Sequence, residues 1–148
     1  MHWLSLVFIF GCLTAIHTAA VQNPSVRKAT AALKGVWVNE LGSTLNITGV
    51  YGPTFQIKGH YRSPSGTAGD LHSLNGVFNL LPVVSGKHNV VVLSFTVHWG
   101  KIGSVTSWSG FYDAEGSGQI IGQWLLVRPV ERYIWEHILT GQDRFTKQ

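Results

Sequence analysis

The sequence has 148 residues, the usual length of one domain, and its single cysteine, Cys12, cannot form an intramolecular disulfide. The formal net charge is +4, but the basic residues are scattered without a run or a stripe, which argues against a nucleic-acid ligand. The sequence contains neither metal-ligand spacing nor a Gly-x-Ser-x-Gly motif, so it offers no support for a metal site or a serine hydrolase.

The first 20 residues carry no charge and contain a strongly apolar stretch from Trp3 to Ala15, followed by small residues at 18–20. This pattern predicts a secretory signal peptide that is cleaved after Ala20. A membrane anchor would need about 20 apolar residues, and polar residues interrupt the end of this run. We therefore expect a secreted, extracellular protein with no membrane segment after cleavage. Residues 21–34 are expected to be a flexible lead-in, and residues 35–148 to be the folded domain.

Residues 35–148 consist of short segments in which polar and apolar residues alternate, the pattern of half-buried antiparallel strands. Turn-forming residues separate these segments, and none of them sustains a helical period. The predicted strands are 35–40, 43–50, 54–61, 74–81, 90–99, 104–113, 119–127 and 137–146. Eight consecutive strands predict an all-β, eight-stranded antiparallel up-and-down β-barrel, because closure removes the exposed edges of the sheet. A barrel of this size can hold one small ligand.

The second predicted strand contains the sequon Asn46-Ile47-Thr48, which is the acceptor pattern for N-glycosylation. Alternation places Leu45 and Ile47 on the inner face, so Asn46 is expected to point outward. Asn46 is therefore a candidate glycosylation site.

The predicted interior is unusual because hydroxyl residues lie between tryptophans. Trp99 and Trp108 share a face with Ser104 and Thr106, where a plain core would carry aliphatic side chains. Alternation adds Asn39, Ser43, Tyr61, Ser63, Trp124, Leu126 and Asp143 to the inward-facing set. Buried polar groups need partners, so these residues predict a ligand pocket with apolar walls and a few polar anchors.

The polar anchors indicate one kind of ligand. Asn39, Ser43 and Tyr61 could donate together to one oxygen, while Asp143 accepts an N–H on the other side of the same group. A cyclic urea or amide has this arrangement. The alternative for each residue is a structural role, such as a core tryptophan or a hydroxyl bonded within the sheet.

Several segments resemble the avidin and streptavidin family. Gly35-Val-Trp37-Val-Asn39-Glu-Leu41-Gly-Ser43 is similar to the first strand of that family. Further similarity lies, in order and with compatible spacing, in 95–99, 106–110, 123–126 and Trp135 with 140–147. The resemblance covers residues 34–147 and implies biotin as the ligand, with no cofactor.

The resemblance also implies a role for each pocket residue. The ureido oxygen of biotin would accept from Asn39, Ser43 and Tyr61, and the ureido N–H groups would donate to Ser63 and Asp143. Thr106 would lie beside the thioether sulfur, and Ser104 and the loop after Tyr61 would meet the carboxylate. The rings and chain of biotin would contact Trp99, Trp108, Trp124 and Leu126, and the ligand-binding set is completed by Leu41, Ser65 and Thr67.

Trp135, on the turn before the last strand, would cap the pocket of a neighbouring subunit, which implies a homotetramer. The alternative is a turn aromatic that packs on its own barrel. This sequence departs from the family pattern mainly at Pro64 and Ser65, because proline restricts the loop and Ser65 replaces a small apolar residue.

Three other functions compete with biotin binding. A lipocalin-like carrier shares the Gly35-x-Trp37 opening, but the short chain, the lack of a disulfide and the polar pocket base argue against it. An enzyme could be imagined from scattered His, Asp and Ser residues, yet no catalytic motif supports one. The third is a structural or adhesive barrel with an empty pocket.

Overall fold

A computed structural model of the chain describes residues 23–64, 70–82 and 84–148. The predicted signal peptide at 1–20 and the loop residues Ser65 and Thr67 lie outside these ranges. The helix α1 (Pro24–Leu33) comes first. Eight strands follow: β1 (Gly35–Asn39), β2 (Thr44–Tyr51), β3 (Gln56–Arg62), β4 (His72–Asn79), β5 (Val91–Trp99), β6 (Ser104–Tyr112), β7 (Ile120–Val127) and β8 (Ile138–Lys147). Short 3-10 turns cover Gly100–Ile102 and Ile134–Glu136.

The eight strands form one closed antiparallel barrel in which each strand pairs with its neighbours in sequence and β8 pairs with β1. The predicted fold is therefore confirmed. Each observed strand begins and ends within two residues of its predicted bounds. The alternation of polar and apolar residues predicts these bounds because each strand buries one face. A buried face also strongly favours a single register between neighbouring strands.

The prediction of a flexible lead-in at 21–34 is wrong for the residues that form α1. Asn23 caps this helix by accepting from the backbone N–H of Ser25 at 2.9 Å, and Pro24 begins it. The helix buries Val26, Ala29 and Leu33, which lie on one face because they are three and four residues apart. Only three of the ten helix residues are buried, so the apolar residues do not form a helical pattern long enough to predict a helix from the sequence.

Two further contacts attach α1 to the barrel. The indole N–H of Trp37 donates to the carbonyl of Leu33 at 2.9 Å. The ammonium group of Lys147 donates to the carbonyl of Ala32 at 2.6 Å and lies 5.2 Å from the centre of the Trp37 ring. These bonds satisfy carbonyl groups at the end of the helix and join it to both β1 and β8.

The barrel interior has an apolar part and a polar-lined part. The largest fully buried side chains are Trp37, Phe78, Phe145, Leu33, Leu45, Ile47, Ile57, Leu74, Ile120 and Val97. In an up-and-down barrel all odd-numbered strands finish at the same end, and this end carries the connections β1–β2, β3–β4, β5–β6 and β7–β8. The buried polar residues of the described chain come from β1, β6, β8 and the first of these connections: Asn39, Ser43, Ser104, Thr106 and Asp143.

Candidate binding site at one end of the barrel

A cavity of about 310 Å³ lies at the end of the barrel where the odd-numbered strands finish. It is lined by Asn39, Leu41, Ser43, Tyr61, Ser63, Trp99, Ile102, Ser104, Thr106, Trp108, Trp124, Leu126, Arg128 and Asp143. Every residue predicted to bind ligand within one barrel and described by the structure is in this set. The structure therefore brings together side chains from six different strands and their connections around one space.

Asp143 forms the acceptor at the base of the cavity. Its side chain is only 3% exposed, and its two carboxylate oxygens accept from Asn39 Nδ2 at 3.1 Å and from Trp108 Nε1 at 2.8 Å. Burial raises the pKa of this carboxyl group, while the hydrogen bonds from Trp108 and Asn39 act in the opposite direction. Because its partners Asn39, Trp108 and Trp124 are all N–H donors, Asp143 acts as an acceptor, and a remaining lone pair can receive an N–H from a ligand.

The side chain of Asn39 has a fixed orientation. Its Oδ1 accepts from the backbone N–H groups of Leu41 and Ser43, at 3.1 and 2.8 Å. The turn between β1 and β2 is further closed by Gly42, whose φ of 80° suits glycine. Because Oδ1 is occupied by the turn, Nδ2 points to Asp143, and its second hydrogen can donate to a ligand.

Tyr61 completes the donor group at the base. Its ring is 3% exposed and lies edge-on to Trp99, with 5.8 Å between ring centres, and tilted against Trp108 at 5.0 Å. Burial raises the pKa of the phenol far above its ordinary value of 10.0, and a hydrogen bond with Ser43 opposes this rise. The phenol therefore stays protonated and available as a donor over the whole usual pH range. Asn39, Ser43 and Tyr61 thus lie next to one another at the base of the cavity.

Tryptophans and hydroxyl side chains form much of the cavity wall. Trp99 Nε1 donates to Thr106 Oγ1 at 2.7 Å, which fixes the Trp99 ring and leaves the Thr106 hydroxyl hydrogen to donate elsewhere. Trp108 stacks on Phe95 with 5.0 Å between ring centres and an interplanar angle of 15°. Trp108 also pairs across the sheet with Trp124. The wall is therefore held in place by contacts inside the protein before any ligand arrives.

Trp135 does not line the cavity of its own barrel. It lies in the turn Ile134–Glu136, is 71% exposed, and stacks on Tyr133 with 4.7 Å between ring centres and an interplanar angle of 6°. The turn is held by Glu136, whose carboxylate accepts from the backbone N–H of Tyr133 at 3.1 Å. The structure thus presents Trp135 outward on an ordered turn.

Sequence reasoning missed two lining residues. Arg128 follows β7 and continues the alternation of Trp124 and Leu126, so the same rule extended by one step would have found it. Ile102 lies in the 3-10 turn between β5 and β6, where strand alternation gives no guidance. Both are at the mouth of the cavity.

Within residues 23–64, 70–82 and 84–148, no three His, Cys, Asp or Glu side chains are placed to hold a metal ion. In the same ranges, no helix is long and apolar enough to span a membrane.

The chain is similar to a known protein family and to curated proteins. A sequence profile of the avidin family matches residues 27–148. A similar curated relative is avidin-related protein 4/5 of Gallus gallus, which is 28% identical over 142 residues, covering 91% of this chain and 90% of that protein.

Proposed function

The chain belongs to the avidin family, and on this basis we propose that its barrel cavity binds biotin without covalent chemistry. The observation that carries the proposal is the base of the cavity, where three donors and a buried carboxylate meet between tryptophan side chains. A cyclic urea has one acceptor oxygen flanked by two N–H groups, which is the complement of this arrangement.

In the proposed complex, the ureido oxygen accepts from Asn39 Nδ2 and from the hydroxyl groups of Ser43 and Tyr61. The ureido N–H groups donate to Asp143 and Ser63, and the hydroxyl of Thr106 faces the ring sulfur. The apolar body of biotin then lies against the side chains of Leu41, Trp99, Trp108, Trp124 and Leu126. Ser104 and the loop containing Ser65 and Thr67 contact the carboxylate at the mouth.

The affinity of this site would come from its preorganisation. Asn39, Asp143, Trp99 and Trp108 are already held by internal hydrogen bonds, so few side chains lose freedom on binding. The hydrogen bonds are formed away from water, where each is stronger. A ligand without a urea leaves these buried groups unpaired, which costs about 1–3 kcal/mol per group and gives selectivity.

We also propose that the protein is a homotetramer in which Trp135 covers the cavity of a neighbouring subunit. The exposure of Trp135 supports this, because Trp135 forms a contiguous exposed apolar patch with Tyr133 and Ile134, and such patches mark interaction sites on protein surfaces. A groove of about 570 Å³ on the outer face of β4, β5 and β6, with exposed Val77 and Val92, offers a second surface for self-association.

The proposed setting is extracellular. The uncharged, apolar segment at residues 1–20 supports secretion, and the position of Asn46 between the buried Leu45 and Ile47 supports a glycan on the outer face. Secreted biotin binding would sequester the vitamin and would involve no reaction.

A thermal-shift experiment tests the proposal. Biotin at about 1,000 times its Kd should stabilise the native state by about 4 kcal/mol, which raises the Tm of a chain of this size by roughly 10 °C. Retinol or a fatty acid, the ligands expected for a lipocalin-like carrier, should leave the Tm unchanged. A shift with an apolar ligand and none with biotin would contradict the proposed function.

A further inference from the structure

Arg128 lies at the mouth of the cavity, at the end of the same row of residues that forms one wall. Trp124 and Leu126 face the cavity from β7, and Arg128 lines it two residues beyond Leu126. A strand rises about 3.3 Å per residue, so the backbone of Arg128 lies roughly 13 Å further along than that of Trp124. The side chain therefore reaches the cavity from its outer end.

The guanidinium group of Arg128 is held in place by the loop that follows. Its Nε lies 2.8 Å from the carboxylate of Glu131, and its Nη2 donates to the carbonyl of Glu136 at 2.7 Å. The backbone N–H of Arg128 donates to the carbonyl of His137 at 2.9 Å. Neither of these two side-chain contacts uses Nη1. Arg128 is thus an ordered cation that can still donate.

The cavity has opposite charges at its two ends. Of the lining residues in the described chain, the charged ones are Asp143 at the base and Arg128 at the mouth. Between them lie apolar side chains. A ligand that fits this pattern carries an N–H group at its inner end, an apolar middle and an anion at its outer end.

We propose that Arg128 binds the free carboxylate of the ligand and makes the site selective for free biotin over biotin joined through an amide. This inference rests on the proposed function. A guanidinium group forms charge-assisted hydrogen bonds with a carboxylate, whereas an amide offers only a neutral oxygen. Glu131 shares the charge of Arg128, which limits the advantage of the free acid to about tenfold in Kd, or ~1.4 kcal/mol.

The test compares the Kd values of biotin and biotinamide, in which a neutral amide of nearly the same size replaces the terminal carboxylate. In the unaltered protein, biotinamide should bind about tenfold more weakly. In Arg128→Gln this ratio should fall to within about twofold of one, and in Arg128→Lys it should lie between, because lysine keeps the charge and loses the planar fork. The ratio is the readout because a disturbed loop would weaken both ligands alike.

The matched control is Glu131→Gln, which removes the carboxylate that shares the charge of Arg128. Its ratio should equal or exceed that of the unaltered protein, and a fall would contradict the proposal. An unchanged ratio in Arg128→Gln would overturn the role of Arg128. Equal binding of the two ligands by the unaltered protein would also overturn it and leave biotin binding intact. Failure of both ligands to bind would overturn the proposed function as well.

Discussion

Replacement of Tyr61 by phenylalanine removes one hydroxyl group from the base of the cavity and little else. The ring contacts with Trp99, Trp108 and Phe145 do not involve this hydroxyl, so the packing should persist. The ligand oxygen, however, would lose one of three proposed donors in a site shielded from water. Leaving a buried polar group short of a partner costs about 1–3 kcal/mol. We therefore expect Tyr61→Phe to weaken biotin binding by a factor of roughly 5 to 150.

The same substitution should change the stability of the unliganded protein by only about 1 kcal/mol, the usual net worth of one hydrogen bond, here the bond with Ser43. Tyr112→Phe is the matched control, because Tyr112 lies on β6 beyond the cavity and its ring contacts Trp37. Kd values from competition against a labelled ligand, with urea unfolding of each unliganded variant, separate the two effects. A Tyr61→Phe Kd within twofold of the unaltered protein, or an equal loss in Tyr112→Phe, would refute the reasoning.

Three further predictions follow from other parts of the structure. Leu33→Ala should lower the free energy of unfolding by about 2–5 kcal/mol, because Leu33 is fully buried in the hydrophobic core. Leu71 is exposed, so Leu71→Ala should have little effect in the same urea titration. Trp135→Ala should speed biotin dissociation and leave the Tm of the unliganded chain nearly unchanged. The control is Val130→Ala, at a side chain even more exposed than Trp135, and equal dissociation rates in the two variants would contradict the proposed cap. Asp113 accepts from the backbone N–H of Ser117 and from His88, which lowers its pKa to about 2, so its stabilising effect should be present above pH 4 and be lost as the pH falls towards 2. Asp113→Asn should flatten the stability profile in this acid range, and an unchanged profile would contradict that role.

The barrel could be predicted from the sequence because alternation over eight segments is a strong, redundant signal. One strand shows its limit: the register between β2 and β3 shifts between Ile47 and Gly49, so Val50 is buried although strict alternation from Ile47 would place it outside. The helix α1 escaped prediction because Val26, Ala29 and Leu33 supply a short helical pattern among small and polar residues.

Most of the cavity residues could also be predicted, because they lie at inward positions of strands: Asn39, Tyr61, Trp99, Ser104, Thr106, Trp108, Trp124, Leu126 and Asp143. Their orientation could not. The direction of the Asn39 amide depends on backbone N–H groups of the following turn, and the position of Arg128 depends on Glu131 and Glu136 in a loop without periodicity. Such details arise from tertiary contacts, which local patterns do not contain.

The most direct test of the central proposal is an equilibrium titration of the folded protein with biotin, followed by the fluorescence of the cavity tryptophans. Trp99, Trp108 and Trp124 all line the proposed site, so binding should change their emission. The proposal predicts a saturating change at one biotin per chain, complete at micromolar biotin. No change in emission at micromolar biotin, with the protein shown to be folded, would contradict it.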